Sequence, residues 1–425
     1  MLHQSAFSAA ETAVVRKAAR HLIPFMALLY FVSFLDRVNI GYAALTMNAD
    51  IGLSASAFGF GAGIFFIGYF LFEVPSNLIL KRVGARRWIA RIMLSWGILS
   101  AATAFVEGPV SFWIIRFLLG VAEAGFFPGM IYYLTYWFPS AVRGRVIGGF
   151  LIAVPLSSVL GAPVSTWLLE TPMFGFAGWQ TMFLLEGVPA ALLGVVVLFV
   201  LPDRPMTASW LSDSEKTTLE GLLDKDRGPS QHTSLKAGLL SLNVWRFSLI
   251  YFGLVVGLYG FSFWSPQIIK ALGNLSNIEV GIVSIVPYAL AAVALYWWGN
   301  RSDQGGDRVL HLAMPAFLAA VAFAISIFVA DPMLNFIALT VGAVGIYASL
   351  PVFWTLPTQA LSGTAAAGGI ALINSIGNLG GYAGPVVIGS LLDSTGGFAG
   401  GMLALAAAML AAGLLALSVK WRNAG

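Results

Sequence analysis

The chain is 425 residues long, 58% hydrophobic and 10% charged, with a formal net charge of +4. Soluble domains carry about a quarter charged residues, so this composition, with a mean hydropathy of +0.85, excludes a soluble globular protein and indicates a polytopic membrane protein. The chain has no cysteine, which excludes disulfides and thiolate chemistry, and its basic residues sit in short loops between apolar runs, which does not indicate nucleic acid.

Met1–His21 is polar and ends in Arg16, Lys17, Arg20 and His21, read as a basic interfacial segment. Apolar runs follow at about 22–47, 57–80, 88–106, 110–138, 146–169 and 180–201. Six more lie near 242–269, 279–299, 310–330, 333–358, 366–392 and 397–419. About 20 residues cross a hydrocarbon core of about 30 Å as a helix, so twelve spans are expected. The first run is too long and too charged for a cleavable signal peptide and reads as a retained span. The expected organisation is an all-α membrane protein: a six-helix bundle over 1–201, a linker over 202–241 and a second bundle over 242–425. Within the linker, Pro202-Asp203-Arg204-Pro205 marks a turn and Ser212-x-x-Glu215 a capping box. Leu219, Leu222 and Leu223 form one stripe behind it, so a short amphipathic helix is predicted there.

Eighteen Lys and Arg residues fall on the side of the N-terminus and only Lys270 opposite, which puts both termini in the cytoplasm. The halves repeat. Asn77-x3-Lys81-x2-Gly84-x-Arg86 follows the second span and Gly299-x3-Asp303-x2-Gly306-x-Arg308 the eighth, a shift of 299 − 77 = 222 residues. The same shift relates Pro163 to Pro385. Six spans per half make equivalent spans parallel, related by an axis along the membrane normal, with a site expected at their interface near the midplane.

Charges inside the spans cost about 2.5–3.5 kcal/mol each near a helix centre. They are Asp36, Arg37, Glu73, Arg116, Glu123 and Glu186, all in the first half. At about 1.5 Å per residue, Asp36, Tyr69 and Glu123 reach the middle third of the bilayer. Arg116 and Glu123, two turns apart on one face, are expected to flank a space left by Gly120. No nucleotide-binding glycine motif or ATPase-sized loop is present, so energy is expected from an ion gradient or the substrate's own gradient.

Several stretches carry a resemblance. They are Phe34-Leu35-Asp36-Arg37-Val38-Asn39-Ile40-Gly41, Gly68-Tyr69-Phe70-Leu71-Phe72-Glu73-Val74-Pro75-Ser76-Asn77, the run from Arg116 to Gly129, Phe183-Leu184-Leu185-Glu186-Gly187 and the run from Ile373 to Gly381. On these the chain resembles the major facilitator superfamily, in particular the anion:cation symporters that include tartrate, phthalate, hydroxyphenylacetate and sugar-acid permeases, with tartrate-type members most similar. The resemblance implies two bundles related by a pseudo-two-fold axis, a monomer in the plasma (inner) membrane, and no cofactor. It also implies that acids matching Asp36 and Glu123 couple protons, while positions matching Arg37, Tyr69, Arg116 and Asn374 line the substrate site. The usual acid of the loop after span two is here Lys81, whereas Asp303 keeps it in the second half.

The residue chemistry agrees. Burial disfavours a carboxylate's charged form and a neighbouring guanidinium favours it, so Asp36 and Glu123 are proton-carrier candidates. Arg37 and Arg116 suit a carboxylate substrate through paired parallel hydrogen bonds. The bland alternatives are a structural Asp36–Arg37 pair and an Arg116 that merely locks Glu123. Glu73, Asn77, Arg86, Asp303 and Arg308 read as gating or structural groups, Glu186 as structural, and Trp354 as a further cavity candidate. The expected function is therefore proton-coupled uptake of a small organic anion. An exchanger or exporter on the same residues, and a transporter-like receptor, are the alternatives. A membrane enzyme is excluded in expectation, because His3, His21, His232 and His311 are scattered and no nucleophile–base pair or metal-ligand spacing occurs.

Overall fold

The computed structural model describes residues 7–151, 153–226, 241–305, 307–360 and 363–419. Among the described residues every regular element is helical, as hydrocarbon demands of a chain that must satisfy its own backbone hydrogen bonds. The first half holds α1 (Ala9–Asp50), α2 (Ala55–Val83), α3 (Ala85–Ala102), α4 (Pro109–Glu123), α5 (Phe126–Thr135), α6 (Ser140–Leu151), α7 (Ala153–Leu169) and α8 (Gly178–Val200). Helix α9 (Asp213–Asp226) lies in the linker. The second half holds α10 (Leu242–Ala271), α11 (Asn277–Gly305), α12 (Arg308–Phe328), α13 (Pro332–Ala360), α14 (Gly363–Asn378), α15 (Gly380–Thr395) and α16 (Ala399–Leu417). Among the described residues ten segments are individually long and apolar enough to span a membrane. The eleventh span is built from two shorter helices, α14 and α15, and α6 and α7 cover the fifth on either side of residue 152, which accounts for the expected twelve.

Two local features depart from expectation. The basic segment before residue 22 is not separate from the first span, because α1 already starts at Ala9. A capping box explains it: the Glu11 amide donates to Ser8 Oγ at 3.2 Å and the Ser8 amide to Glu11 Oε2 at 2.7 Å. The fourth span breaks between α4 and α5 at Ala124–Gly125, directly after Glu123. Gly125 has φ 83° and a Cβ there would collide with Ser76, so only glycine suits both the backbone and the space.

The halves meet chiefly through three helix pairs, α1 with α10, α2 with α15 and α7 with α11, and more lightly where α2 touches α14. The 222-residue shift carries α2 onto α11 and α7 onto α15, so two of these contacts are one contact made twice, and the third straddles the axis. Gly59 and Gly281 (281 − 59 = 222) show it in detail. The Pro385 carbonyl stands against the first and the Ala162 carbonyl and Thr166 against the second, the close backbone approach that small residues permit between membrane helices.

Linker helix α9 starts as predicted, with Ser212 N–H donating to Glu215 Oε2 at 2.8 Å and Glu215 N–H to Ser212 Oγ at 3.3 Å. Leu219, Leu222 and Leu223 are buried. The helix is tied to the first turns of α1: Lys17 Nζ reaches Glu215 Oε2 at 2.7 Å, and His21 stacks on Trp210 at 4.4 Å. Lys17 first, and then the Ser212 amide, hold the Glu215 carboxyl below its ordinary value. The rest of the expected linker, 227–240, lies outside the described residues.

Candidate functional site

Successive side chains on a helix point about 100° apart, so adjacent Asp36 and Arg37 cannot share one direction. The structure separates them. Arg37 Nη2 bonds Glu123 Oε1, and Nη1 donates to Tyr259 Oη at 2.9 Å. Ser33 Oγ donates to the same Glu123 oxygen at 3.0 Å. Asp36 turns instead into the first bundle, accepting from Trp96 Nε1, from Ser100 Oγ and, at 3.2 Å, from Asn39 Nδ2. The expected alternative of an Asp36–Arg37 ion pair is therefore not what the side chains do.

Arg116 is 1% exposed, yet Nε and one Nη have no hydrogen-bond partner. It does not lock Glu123, which Arg37 has taken. Its guanidinium lies 5.2 Å from the Phe65 ring centre, and that of Arg37 lies 5.3 Å from the same ring. Tyr69 completes this wall, buried and 5.7 Å from the Arg37 guanidinium. Two guanidinium groups thus share one phenyl ring, and a single carboxylate, Glu123, is bonded to only one of them, Arg37. The space expected beside Gly120 does not exist, because the Phe65 carbonyl of α2 occupies it. Gly120 serves the α2–α4 contact rather than a ligand.

Glu73 and Asn374 meet between the halves. Asn374 Nδ2 donates to Glu73 Oε1 at 2.7 Å and Ser375 Oγ to Oε2 at 3.4 Å, so the expected gating acid and the expected substrate amide bond each other here. Asn77 bonds back to the Glu73 carbonyl at 2.9 Å. Trp354 stands edge-on to Tyr251 at 4.8 Å and beside Phe353 at 5.3 Å, in an aromatic cluster of the second half.

The two repeat loops differ as the Lys81 departure implies. Arg308 Nη1 bonds Asp303 Oδ1 at 2.9 Å within the second half. Lys81 stands at the equivalent of Asp303, so Arg86 takes an acid from the linker: its amide donates to Asp203 Oδ1 at 2.9 Å, with Nε 3.8 Å from Oδ2. At the opposite face the halves are joined by a pair of latches related by the repeat. Asp393 accepts the Ala55 and Ser56 amides at the start of α2, at 3.0 and 2.8 Å. Glu170 accepts Asn277 Nδ2 at the start of α11, at 2.6 Å, while Lys270 Nζ holds Asn277 Oδ1 at 2.6 Å.

A family model for the Major Facilitator Superfamily matches residues 26–385. The chain belongs to that superfamily. It is 53% identical over 411 residues, 96% of this chain and 91% of the other, to an Agrobacterium vitis protein described as a "Putative tartrate transporter". It is 42% identical over 406 residues, 94% and 93% of the two chains, to a "Quinolone resistance transporter" of Acinetobacter baumannii. Among solved structures it resembles the xylose transporter XylE from E. coli, with a TM-score of 0.76 at 16% identity over 96% of this chain and 99% of that one. The protein is a multi-pass membrane transporter and not an enzyme, and the tartrate-type resemblance of its motifs is borne out.

Several groups of this transporter's site escaped sequence reasoning. Ser33, Trp96, Ser100 and Ser165 look like ordinary packing in apolar spans. Tyr259 carried a usable signal: it lies 222 residues from Arg37, the shift of the internal repeat. Equivalent positions on spans one and seven face each other across the axis, so the repeat alone pairs them.

Proposed function

We propose that this transporter accumulates a small organic anion, such as tartrate or another hydroxy- or dicarboxylate, by proton symport across the plasma membrane through alternating access. The observation that carries the reading is the shortage of carboxylate around two guanidinium groups, Arg116 buried and Arg37 largely so. Glu123 holds Arg37, and Arg116 keeps unbonded N–H groups beside Phe65. A buried guanidinium with free donors is costly unless an anion completes it. Two such groups on one ring match a substrate with two acidic or hydroxyl-bearing ends.

Coupling follows from competition. While Glu123 is ionised it occupies Arg37, and a proton on Glu123 releases that guanidinium to the substrate carboxylate. Asp36 lies within electrostatic reach of both Glu123 and Arg116 and is the second proton carrier. Asn374 and Glu73 form the contact that separates when the halves rock, with the Lys/Arg bias placing that end of the molecule in the cytoplasm. Support for the anion class comes from the tartrate-type relative. The quinolone-resistance relative favours a second reading, export by the same residues in the reverse direction.

The test is uptake into proteoliposomes with an imposed pH gradient, using tartrate, sugar acids and aromatic acids. Accumulation of tartrate driven by an acidic outer medium and abolished by a protonophore is expected. Flux of every anion that ignores the gradient would falsify symport, and accumulation only against an acidic lumen would establish export.

A further inference from the structure

We propose that Glu186 holds a proton in this transporter: Asp36 and Glu186, bridged by the Asn39 amide and bonded only by neutral donors, share one dissociable proton. The Asn39 amide nitrogen has two hydrogens and spends one on each acid, at 3.2 Å to Asp36 Oδ1 and 2.8 Å to Glu186 Oε2. The other donors to the pair are neutral. Trp96 and Ser100 serve Asp36, and Ser165 Oγ donates to Glu186 Oε1 at 2.8 Å. Both acids, and all four of these neighbours, are buried.

Among the described residues no cation is bonded to either acid. Helix α7 has no charged residue and α8 has only Glu186. On α3, Arg91 lies over Trp88 and bonds the Ala122 carbonyl. On α1, Arg37 points to Glu123 and Tyr259. Asp36 remains within electrostatic reach of Glu123 and Arg116, and Glu186 of Asp36. Two ionised carboxylates bridged by one amide in low dielectric repel each other with no cation bonded to either, the situation in which a carboxyl pair keeps one proton between its members.

A second observation points to the same proton. Asn39 Oδ1 is buried and has no hydrogen-bond partner. A buried acceptor without a donor calls for an explanation. With a proton on one acid and a small rotation of the amide, Oδ1 can accept from that carboxyl O–H while Nδ2 keeps its hydrogen bond to the remaining carboxylate. The proton state of this pocket reaches the anion site through Asp36, whose neighbour in sequence is Arg37.

The assignment of the proton rests on this geometry, and only its use in transport rests on the symport reading. The two are tested separately on the full-length protein. Infrared difference spectroscopy of the purified transporter near neutral pH is expected to show a protonated-carboxyl C=O band that Glu186→Gln and Asp36→Asn each remove. Should Glu186→Gln fail to fold, Ser165→Ala is expected to move the pH at which the band titrates, since it takes a donor from Glu186. Absence of the band from the wild type, its persistence in Glu186→Gln, an unmoved titration in Ser165→Ala, or its loss on adding sodium chloride instead of potassium chloride each overturns the proposal. In proteoliposomes, Glu186→Gln is expected to lower gradient-driven tartrate accumulation at least about tenfold, with partial rescue by Glu186→Asp. A wild type that shows the band but ignores the gradient removes the symport reading and leaves the shared proton standing.

Discussion

The two halves of this transporter share one architecture and divide its chemistry unequally. The first half buries Asp36, Glu73, Arg116, Glu123 and Glu186 and largely buries Arg37, whereas the described charged residues of the second half lie at helix ends. What the second half offers to the interface is neutral: Tyr259 to Arg37, and Asn374 with Ser375 to Glu73. The repeat makes the contrast sharpest at one position, where Arg37 on α1 meets its own equivalent, Tyr259, on α10. A symmetric molecule with arginine at both places would face two like charges across the axis. A tyrosine there can donate or accept a hydrogen bond with whatever anion the arginine holds, so the second half can follow the charge state of the first without carrying charge itself.

The comparison is broken most severely by removing Glu123, the acid proposed to compete with substrate. Glu123→Gln leaves Arg37 without its ion partner, a loss of about 3–5 kcal/mol for a buried pair, and mimics the protonated state permanently. Gradient-driven accumulation should be abolished, as proteoliposome uptake will show; normal accumulation would remove Glu123 from coupling. Next is Arg37→Lys, which keeps the charge and loses the planar fork. A charged hydrogen bond is worth about 1.5–3 kcal/mol, so substrate affinity measured by calorimetry should fall about tenfold to a hundredfold. Unchanged affinity would sink the assignment.

Smaller effects sharpen the contrast from the neutral side. Tyr259→Phe removes one bond to Arg37 and should weaken affinity only a few-fold, about 1 kcal/mol, while gradient coupling persists. Loss of coupling in this variant would mean the second half titrates with the first. The smallest effect is expected at the latches. Asp393→Asn removes a charge from the start of α2, worth about 0.3–1 kcal/mol at a helix N-terminus, and should shift the balance of states less than about fivefold. Labelling of a single introduced cysteine at the far face reads this directly, since the chain has none of its own.

The Asp393 latch also predicts a pH behaviour. Hydrogen bonding from Ser56 first, and then from Ser54 and the Ala55 amide, holds its carboxyl below the ordinary value. A lowered carboxyl stabilises the latched state fully above the free value of about 3.9, and that stabilisation is lost as pH falls through the lowered one. Across about pH 5 to 8 the latch is therefore constant, and Asp393→Asn should keep the pH profile of wild-type transport. A profile that moves in this range would assign the latch a role in coupling.

Much of this was legible in the residues. The twelve spans followed from apolar runs, the two-fold relation from a single 222-residue shift, and the first-half location of the charges from their placement alone. The linker helix followed from Ser212, Glu215 and its leucine stripe. Partner choice was not legible, for physical reasons. Periodicity says that Arg116 and Glu123 share a face of one helix, but the break at Gly125 and the reach of Arg37 from α1 decide which guanidinium Glu123 receives. A glycine such as Gly120 reads equally as a gap for ligand or for backbone, and only the neighbouring helix shows that Phe65 fills it. Glu186 looked structural because its partners Asn39 and Ser165 are distant in sequence and uncharged.

The central claim is that a proton on Glu123 frees Arg37 for the anion, and tartrate affinity as a function of pH tests it most directly. Calorimetry on the wild type should show binding that weakens as pH rises, because ionised Glu123 competes for the guanidinium. Glu123→Gln should bind as tightly as the wild type at its acidic limit and lose most of that dependence. Parallel pH profiles in the two proteins would contradict the account.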